Sequence, residues 1–145
     1  MSAPVSVDSL HFAQSAGTLE GQLRAADLPR LRDNLTSEDV AVQYRLSGGV
    51  ESGRPVLRLV VTGHVWLTCQ RCLGPYRQEL DMESVLPIAR DEAELARWEA
   101  EDPLLDALVA DARLNTVSLV EDEILLGLPI VPHHPDGLCE TVYQA

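Results

Sequence analysis

The sequence predicts an α+β fold in which an antiparallel sheet, flat or curled toward a barrel, packs against a C-terminal helix and short helices. Three observations predict it: two alternating segments that indicate a hairpin, a third strand-like segment after a Gly-Pro turn, and a late segment with helical apolar spacing. A chain of 145 residues can bury one hydrophobic core. We therefore expect a single domain over residues 1–145.

The first third of the chain predicts two short strands and a short helix. The segments VSVDSLHFA and GTLEGQLRA alternate polar and apolar residues, so we expect two strands that pair with each other. The segment ADLPRLRDNL follows and favours a helix. Asp27 is a suitable N-cap, and Pro29 fits the first turn because its missing N–H costs little there.

The middle of the chain carries the clearest strand pattern. In DVAVQYRLSG the apolar residues alternate, at Val40, Val42, Tyr44 and Leu46. GGVESGR supplies turn residues, and a long strand from Pro55 to about Thr68 completes an antiparallel hairpin. Gly74 and Pro75 then force a turn, after which YRQELDMESVLPIAR is expected to return as a third strand.

The remaining segments are more helical. DEAELARWEAED predicts an exposed helix or a mobile loop that Trp98 attaches to the body, and LLDALVA fits either a strand or a helix. NTVSLVEDEILLGLP predicts a helix at about 116–127, with Asn115 as its N-cap and Pro129 at its end. Its apolar residues follow helical spacing, at Val117, Val120, Ile124 and Leu128.

Charge and composition restrict the function. The net charge is −12 and the chain has no lysine, which argues against broad binding to DNA or RNA phosphates and favours a basic partner. The N-terminus shows no basic segment followed by an apolar one, and no apolar run approaches membrane-spanning length. We therefore expect a cytoplasmic protein whose thiols stay reduced.

Two of the three cysteines, Cys69 and Cys72, are two residues apart at the predicted turn. A disulfide, a redox pair and half of a metal site are all open interpretations. A redox C-x-x-C normally opens a helix, whereas Gly74 and Pro75 break the chain here. The C-terminal segment holds His133, His134, Asp136 and Cys139, so four soft ligands suited to tetrahedral zinc are available. Surface histidines and a buried Cys139 are the structural alternative.

A family resemblance follows from two motifs. CQRC after VTGHVWLT, and LVEDEILLGLPIVPHH with a cysteine shortly after it, resemble the YceD family of bacteria and plastids, described as large ribosomal RNA subunit accumulation proteins. The resemblance covers about residues 40 to 140 in order, and the first third of the chain fits loosely. The matching positions are Cys69, Arg71, Cys72, Val120, Glu121, Asp122, Glu123, Ile124, Leu128, Pro129, Pro132, His134 and Cys139.

The resemblance implies a role in the synthesis, processing or stability of 23S rRNA. It also implies that the histidine five positions before the last cysteine belongs to the site, which selects His134 over His133. The zinc ligands expected on this basis are Cys69, Cys72, His134 and Cys139.

The acidic triplet Glu121-Asp122-Glu123 does not predict catalysis. Three successive helical residues spread over more than half the circumference, so they do not converge as a general acid–base pair requires. We predict no catalytic residue and a solvated helix face for one or two of the three. Glu123 borders the apolar stripe and is the best candidate to meet an arginine, either Arg71 or one outside the chain. The predicted partner-binding residues are Arg71, Glu121, Asp122 and Glu123.

The leading hypothesis is therefore a non-enzymatic assembly or stability factor for the large ribosomal subunit. Its partners would be ribosomal proteins or a pre-large-subunit particle, with local rRNA contact around Arg71 and Arg77 and no contact with DNA or membranes. Two alternatives remain: a metal- or thiol-dependent enzyme acting on RNA, and a small redox-sensing zinc module.

Overall fold

The computed structural model describes residues 6–128. Within this range it contains seven strands and four α-helices. The strands are β1 (Ser6–Val7), β2 (Thr18–Leu23), β3 (Ala41–Glu51), β4 (Arg54–Thr68), β5 (Pro75–Ala89), β6 (Leu108–Val109) and β7 (Leu114–Asn115). The helices are α1 (Ser9–Gln14), α2 (Pro29–Arg32), α3 (Glu92–Glu101) and α4 (Thr116–Gly127), and a 3-10 turn covers Ala25–Asp27.

Five strands form one sheet in the order β2-β3-β4-β5-β6. The first four are antiparallel neighbours, and β6 adds to the edge in parallel with β5. In the described range β2 and β6 pair with no further strand, so the sheet is open and no barrel closes. A separate ribbon joins β1 to β7. The predicted α+β class is confirmed.

The long hairpin β3–β4 follows the predicted alternation. Val42, Tyr44 and Leu46 are buried, and Leu46 pairs with Leu59 across the strands. The turn consists of Ser52 and Gly53, both with positive φ (53° and 76°), as a two-residue hairpin loop prefers.

The predicted hairpin turn was placed too early. Gly48 and Gly49 belong to β3 rather than to the turn. A Cβ atom on Gly48 would lie 2.2 Å from the carbonyl oxygen of Phe12 in α1. Gly48 therefore allows α1 to pack closely against β3, because only a residue without Cβ lets the helix approach the strand to this distance.

The prediction for the N-terminal segment was wrong. VSVDSLHFA forms the two-residue strand β1 and the helix α1, and β2 pairs with β3 instead of with this segment. Asp8 explains the switch to helix, because its side chain accepts a hydrogen bond from the His11 N–H and caps the first turn. Helix α1 packs against β3 and β4.

Helix α4 begins as predicted, with the Asn115 side chain accepting from the Ser118 N–H at 2.9 Å. Val120 and Ile124 are buried in the core, and the other two residues of the predicted stripe, Val117 and Leu128, pack against it while partly exposed. The helix runs antiparallel to β5 across the sheet.

Three contacts fix the direction of α4 on β5. Leu119 and Leu86 line one groove, Glu123 lies near Ser84, and Gly127 lies against the Met82 side chain. Four residues of a helix and two residues of a strand both advance by about 6 Å. Successive contacts along α4 and β5 therefore stay aligned. The C-terminal end of α4 therefore points along β5 toward the turn that joins β4 to β5.

The acidic segment after β5 forms the exposed helix α3, and Trp98 attaches it to the sheet as predicted. The Arg54 guanidinium lies 4.3 Å from the centroid of the Trp98 ring. LLDALVA contributes the short strand β6, which settles its open assignment. Over residues 6–128, no helix is long and apolar enough to cross a membrane.

Candidate binding sites at the strand corner and on helix α4

The corner between β4 and β5 holds Cys69 and Cys72. Both residues are buried, with 0% and 5% of their surface exposed, and neither is part of a disulfide. Two backbone hydrogen bonds close the corner: Cys69 N–H donates to Gly74 O at 2.9 Å, and Leu73 N–H donates to Cys69 O at 2.8 Å. Leu73 has a positive φ of 61°, which tightens the turn. The two cysteines thus form the buried side of one compact turn in which Gln70, Arg71 and Leu73 are exposed.

The other two predicted zinc ligands, His134 and Cys139, lie outside the described residues. Among residues 6–128, no group of three or more histidine, cysteine, aspartate or glutamate residues is arranged to hold a metal ion. The corner therefore contributes at most two ligands from the described part of the chain, and zinc remains a prediction.

Arg71 lies in the corner turn between the two cysteines. Arg77 follows on β5 and donates its Nε to Glu79 at 2.7 Å. This pairing is general: at least seven of the eleven arginines lie within 4.0 Å of a carboxylate. An RNA phosphate would compete with carboxylates for most of these arginines.

The first residue of the acidic triplet, Glu121, is a structural residue. It is only 2% exposed, and its carboxylate accepts the backbone N–H groups of Arg30 and Leu31 at 2.8 and 3.0 Å. The Arg30 Nε also donates to it at 2.9 Å. The sequence assigned the cap of α2 to Asp27. Instead, the Asp27 carboxylate accepts the Arg24 N–H, and Glu121 from α4 satisfies the first turn of α2. That prediction was wrong because the capping group comes from 91 residues away.

Asp122 also faces Arg30, with its carboxylate 2.6 Å from Nη1. Both side chains are about half exposed. The carboxylates of Asp122 and Glu121 together raise the pKa of Arg30 above its ordinary value. Arg30 thus ties α2 to α4, and Glu121 and Asp122, both predicted to bind an external partner, contact Arg30 within the chain.

Glu123 has a different environment. Burial raises its pKa above the ordinary glutamate value, opposed by a hydrogen bond from Ser84 and assisted by the charges of Asp106 and Asp122. Its Oε1 atom is buried and has no hydrogen-bond partner within residues 6–128. Of the triplet, Glu123 alone therefore has a buried acceptor without a partner in the described range.

Glu123 lines a groove of about 300 Å³ between α4 and the β5–β6 edge. Five leucines form its apolar lining: Leu86, Leu108, Leu119, Leu125 and Leu126. Asp106 and Asp122 join Glu123 as its polar lining. We call this feature the α4 groove.

The alternative that Glu123 pairs with Arg71 does not fit this arrangement. Glu123 contacts Ser84, nine residues along β5 from Pro75 at the corner. An extended strand of that length spans about 30 Å. A basic group outside the described residues is the remaining alternative for Glu123.

Sequence reasoning missed Arg30 and Asp106. The sequence contains a weak signal for the role of Arg30. Pro29 opens a short helix, and the preceding residue, Leu28, has no side chain that could cap it. The sequence contains no signal for Asp106, because the groove forms only when the loop before β6 meets α4.

Comparison with known proteins identifies a family model and a curated relative. Residues 57–144 match the family model described as large ribosomal RNA subunit accumulation protein YceD. A Haemophilus influenzae protein with the same name is 30% identical over 147 positions, which cover 97% of this chain and 81% of that relative. No solved structure matches.

Proposed function

Because the chain belongs to the YceD family of large ribosomal RNA subunit accumulation proteins, we propose that it supports the synthesis, processing or stability of 23S rRNA as a non-enzymatic binding protein in the cytoplasm. Ribosomal proteins or a pre-large-subunit particle are the partners that suit it. The observation that carries this proposal is the charge distribution: a chain of net charge −12 whose arginines are mostly engaged by its own carboxylates.

The charge distribution favours protein contacts over RNA contacts. Binding to RNA draws much of its free energy from arginines and lysines that neutralise phosphates. Here Arg77, one of the two arginines suggested for local rRNA contact, already donates to Glu79. Ribosomal proteins are basic, so an acidic surface attracts them and speeds their association. Any RNA contact that we propose is local, around Arg71 and Arg77, and secondary to the protein contacts.

The enzymatic alternative requires either an open metal position or an activated thiol. Cys69 is fully buried, which suits a structural ligand better than a nucleophile that must reach a substrate. Within the acidic triplet, the buried carboxylate of Glu121 is occupied by the first turn of α2, so it is poorly placed to act as a general acid or base. The non-enzymatic proposal rests on these two placements.

We also propose that zinc joins the corner to the C-terminal segment through Cys69, Cys72, His134 and Cys139. The donor set suits zinc, because thiolates and imidazole are its preferred ligands and four of them close a structural site. The buried, reduced thiols of the corner support the proposal.

The direction of α4 makes this closure feasible. Met82, which lies against Gly127, is seven strand residues from Pro75, or about 23 Å. His134 and Cys139 follow Gly127 by seven and twelve residues. Extended chains of those lengths span up to about 25 and 43 Å, so both ligands are within reach of the corner.

The ribosomal role is tested by measuring 23S and 16S rRNA in a strain that lacks the gene. We expect the ratio of 23S to 16S rRNA to fall and to recover when the full chain is restored. An unchanged ratio across growth conditions would remove the functional proposal.

The nature of the partner is tested by pulldown with the purified full chain. Recovery of large-subunit proteins that survives ribonuclease treatment is expected for protein contact. Recovery of bare rRNA without any ribosomal protein would contradict it.

The zinc proposal is tested by elemental analysis and X-ray absorption of the purified full chain. We expect one zinc per chain with three sulfur ligands and one nitrogen ligand, and loss of zinc in Cys69→Ser. Three protein ligands plus water would favour the enzyme instead. Release of zinc with a Cys69–Cys72 disulfide under mild oxidant would favour the redox module.

A further inference from the structure

We propose that the α4 groove binds a basic peptide segment of a partner protein, one that carries an arginine or lysine next to a large apolar side chain. This proposal rests on the proposed function and deepens it, because it names the surface that would receive a ribosomal protein. Three features of the groove carry it: the apolar lining, the acidic residues, and an acceptor atom that lacks a donor.

The apolar lining runs from the buried leucines Leu86 and Leu119 to Leu126, which is highly exposed. Leu126 leaves 79% of its surface exposed, whereas Ile124, two residues earlier, is fully buried. With Leu86, Leu108, Leu119 and Leu125 it surrounds a groove of about 300 Å³. This volume accepts one or two large side chains but is small for a drug-sized ligand.

The acidic residues determine the charge of the occupant. Asp106, Asp122 and Glu123 all line the groove, and no basic residue does. Arg30 partly offsets Asp122 through its ion pair, which leaves Asp106 and Glu123 as the uncompensated charges of the lining. An acidic or neutral peptide would add repulsion or leave these charges buried without a counter-ion.

The unused acceptor of Glu123 is the most specific feature. Its Oε1 atom is buried without a hydrogen-bond partner in the described range, although Ser84 lies near the same carboxyl group. A buried acceptor without a donor is costly and is uncommon in native proteins. A guanidinium or ammonium group arriving with a peptide supplies the donor and the opposite charge together.

The C-terminal segment 129–145 is a weaker occupant on grounds of charge. It contains Asp136 and Glu140 but neither arginine nor lysine, so it does not complement an acidic groove. A second copy of this chain, with net charge −12, is likewise disfavoured. We therefore commit to a basic partner and treat the other two occupants as outcomes of the test.

The test places the photo-crosslinking residue benzoylphenylalanine at position 126 of the full chain. The purified protein is irradiated with an equal-mass mixture of large-subunit proteins and other cytosolic proteins from the same cell. Mass spectrometry then identifies the crosslinked peptides. The expected peptides carry arginine or lysine within a few residues of a large apolar residue.

Matched variants separate the groove from general acidity. Glu123→Gln in the crosslinking chain should lower the crosslink yield about tenfold, the usual effect of removing one charged hydrogen-bond partner. Glu99→Gln removes an equal charge from exposed α3 and should leave the yield unchanged. Circular dichroism melting of each variant verifies that it is folded.

Each outcome bears on the proposal in a distinct way. Crosslinks to segment 129–145, to a second copy, or to peptides without basic residues overturn it, as does an equal yield from Glu123→Gln. Crosslinked peptides that contain both basic and apolar residues but come only from non-ribosomal proteins support the proposed binding site and count against the ribosomal role. If the Glu123→Gln and Leu126→Ser variants bind the large subunit as well as the wild type does, the ribosomal role stands and the proposed binding site in the groove is excluded.

Discussion

Replacing Glu121 with alanine should strongly destabilise the fold, although Glu121 lines neither the α4 groove nor the cysteine corner. The carboxylate is 2% exposed and accepts two backbone N–H groups at the first turn of α2. Alanine leaves the buried Leu31 N–H without an acceptor, which costs about 1–3 kcal/mol. The Arg30 N–H is partly exposed and can turn to water at lower cost.

The truncation also leaves a cavity where the Glu121 side chain was. The two methylene groups contribute about 1–2 kcal/mol through burial. Because the Arg30 guanidinium is half exposed, its ion pair adds little. The total loss is about 2–5 kcal/mol, a substantial part of the 5–15 kcal/mol typical of a domain.

Urea unfolding of the full chain, followed by far-UV circular dichroism, measures this loss without screening the ion pairs. Glu121→Gln keeps one acceptor oxygen and should lose about half as much as Glu121→Ala. Asp122→Asn is the matched control, because it removes the neighbouring charge and the exposed half of the Arg30 pair. It should lose less than a third of the alanine value. A loss below about 1 kcal/mol for Glu121→Ala would refute the capping role.

Three further predictions concern the sheet, the groove and the corner. Gly63→Ala should lose about 2–4 kcal/mol in urea unfolding, because Gly63 has φ 130° and a Cβ would lie 1.9 Å from Ala41 O. Gly49→Ala has open space and should change stability by less than about 0.5 kcal/mol; equal losses would contradict the argument. The raised pKa of Glu123 means that the folded state binds its proton more tightly than the unfolded state, so stability falls as pH rises from the ordinary glutamate value through the raised one. Glu123→Gln should therefore be more stable than the wild type at pH 7, with the difference vanishing below about pH 4; a difference that grows on acidification has the wrong sign. Removing zinc with a chelator should lower the melting temperature of the full chain by at least about 4 °C but leave a Cys69→Ser Cys72→Ser variant unchanged, and an unshifted wild type would exclude a structural metal.

The features that the sequence predicted are those that local patterns encode. Alternation at Val42, Tyr44 and Leu46 determines which face of the hairpin is buried, and Asn115 marks the start of α4. Both signals act within a few residues, so they do not depend on the rest of the chain. The same holds for the C-x-x-C corner, which Gly74 and Pro75 bound.

The features that it missed depend on tertiary contacts. VSVDSLHFA alternates like a strand, but the Asp8 cap and the space above Gly48 make α1 the better-packed solution. The capping of α2 by Glu121 has no local signature, since the two segments are 91 residues apart. The α4 groove likewise requires β5, the loop before β6 and α4 together.

The separation of Glu121 from Arg30 also has a consequence for how the chain is made. Translation adds about 5–20 residues per second, so Glu121 follows Arg30 out of the peptidyl transferase centre by roughly 5–18 s for the 91 intervening positions. The interval is longer for strand β1, because it pairs with β7, which begins only at Leu114. Strands β2 to β5 are all made before α4 and β7, the elements that contact α2 and β1. The nascent chain can therefore pair its central strands before the distant contacts of α2 and β1 become available.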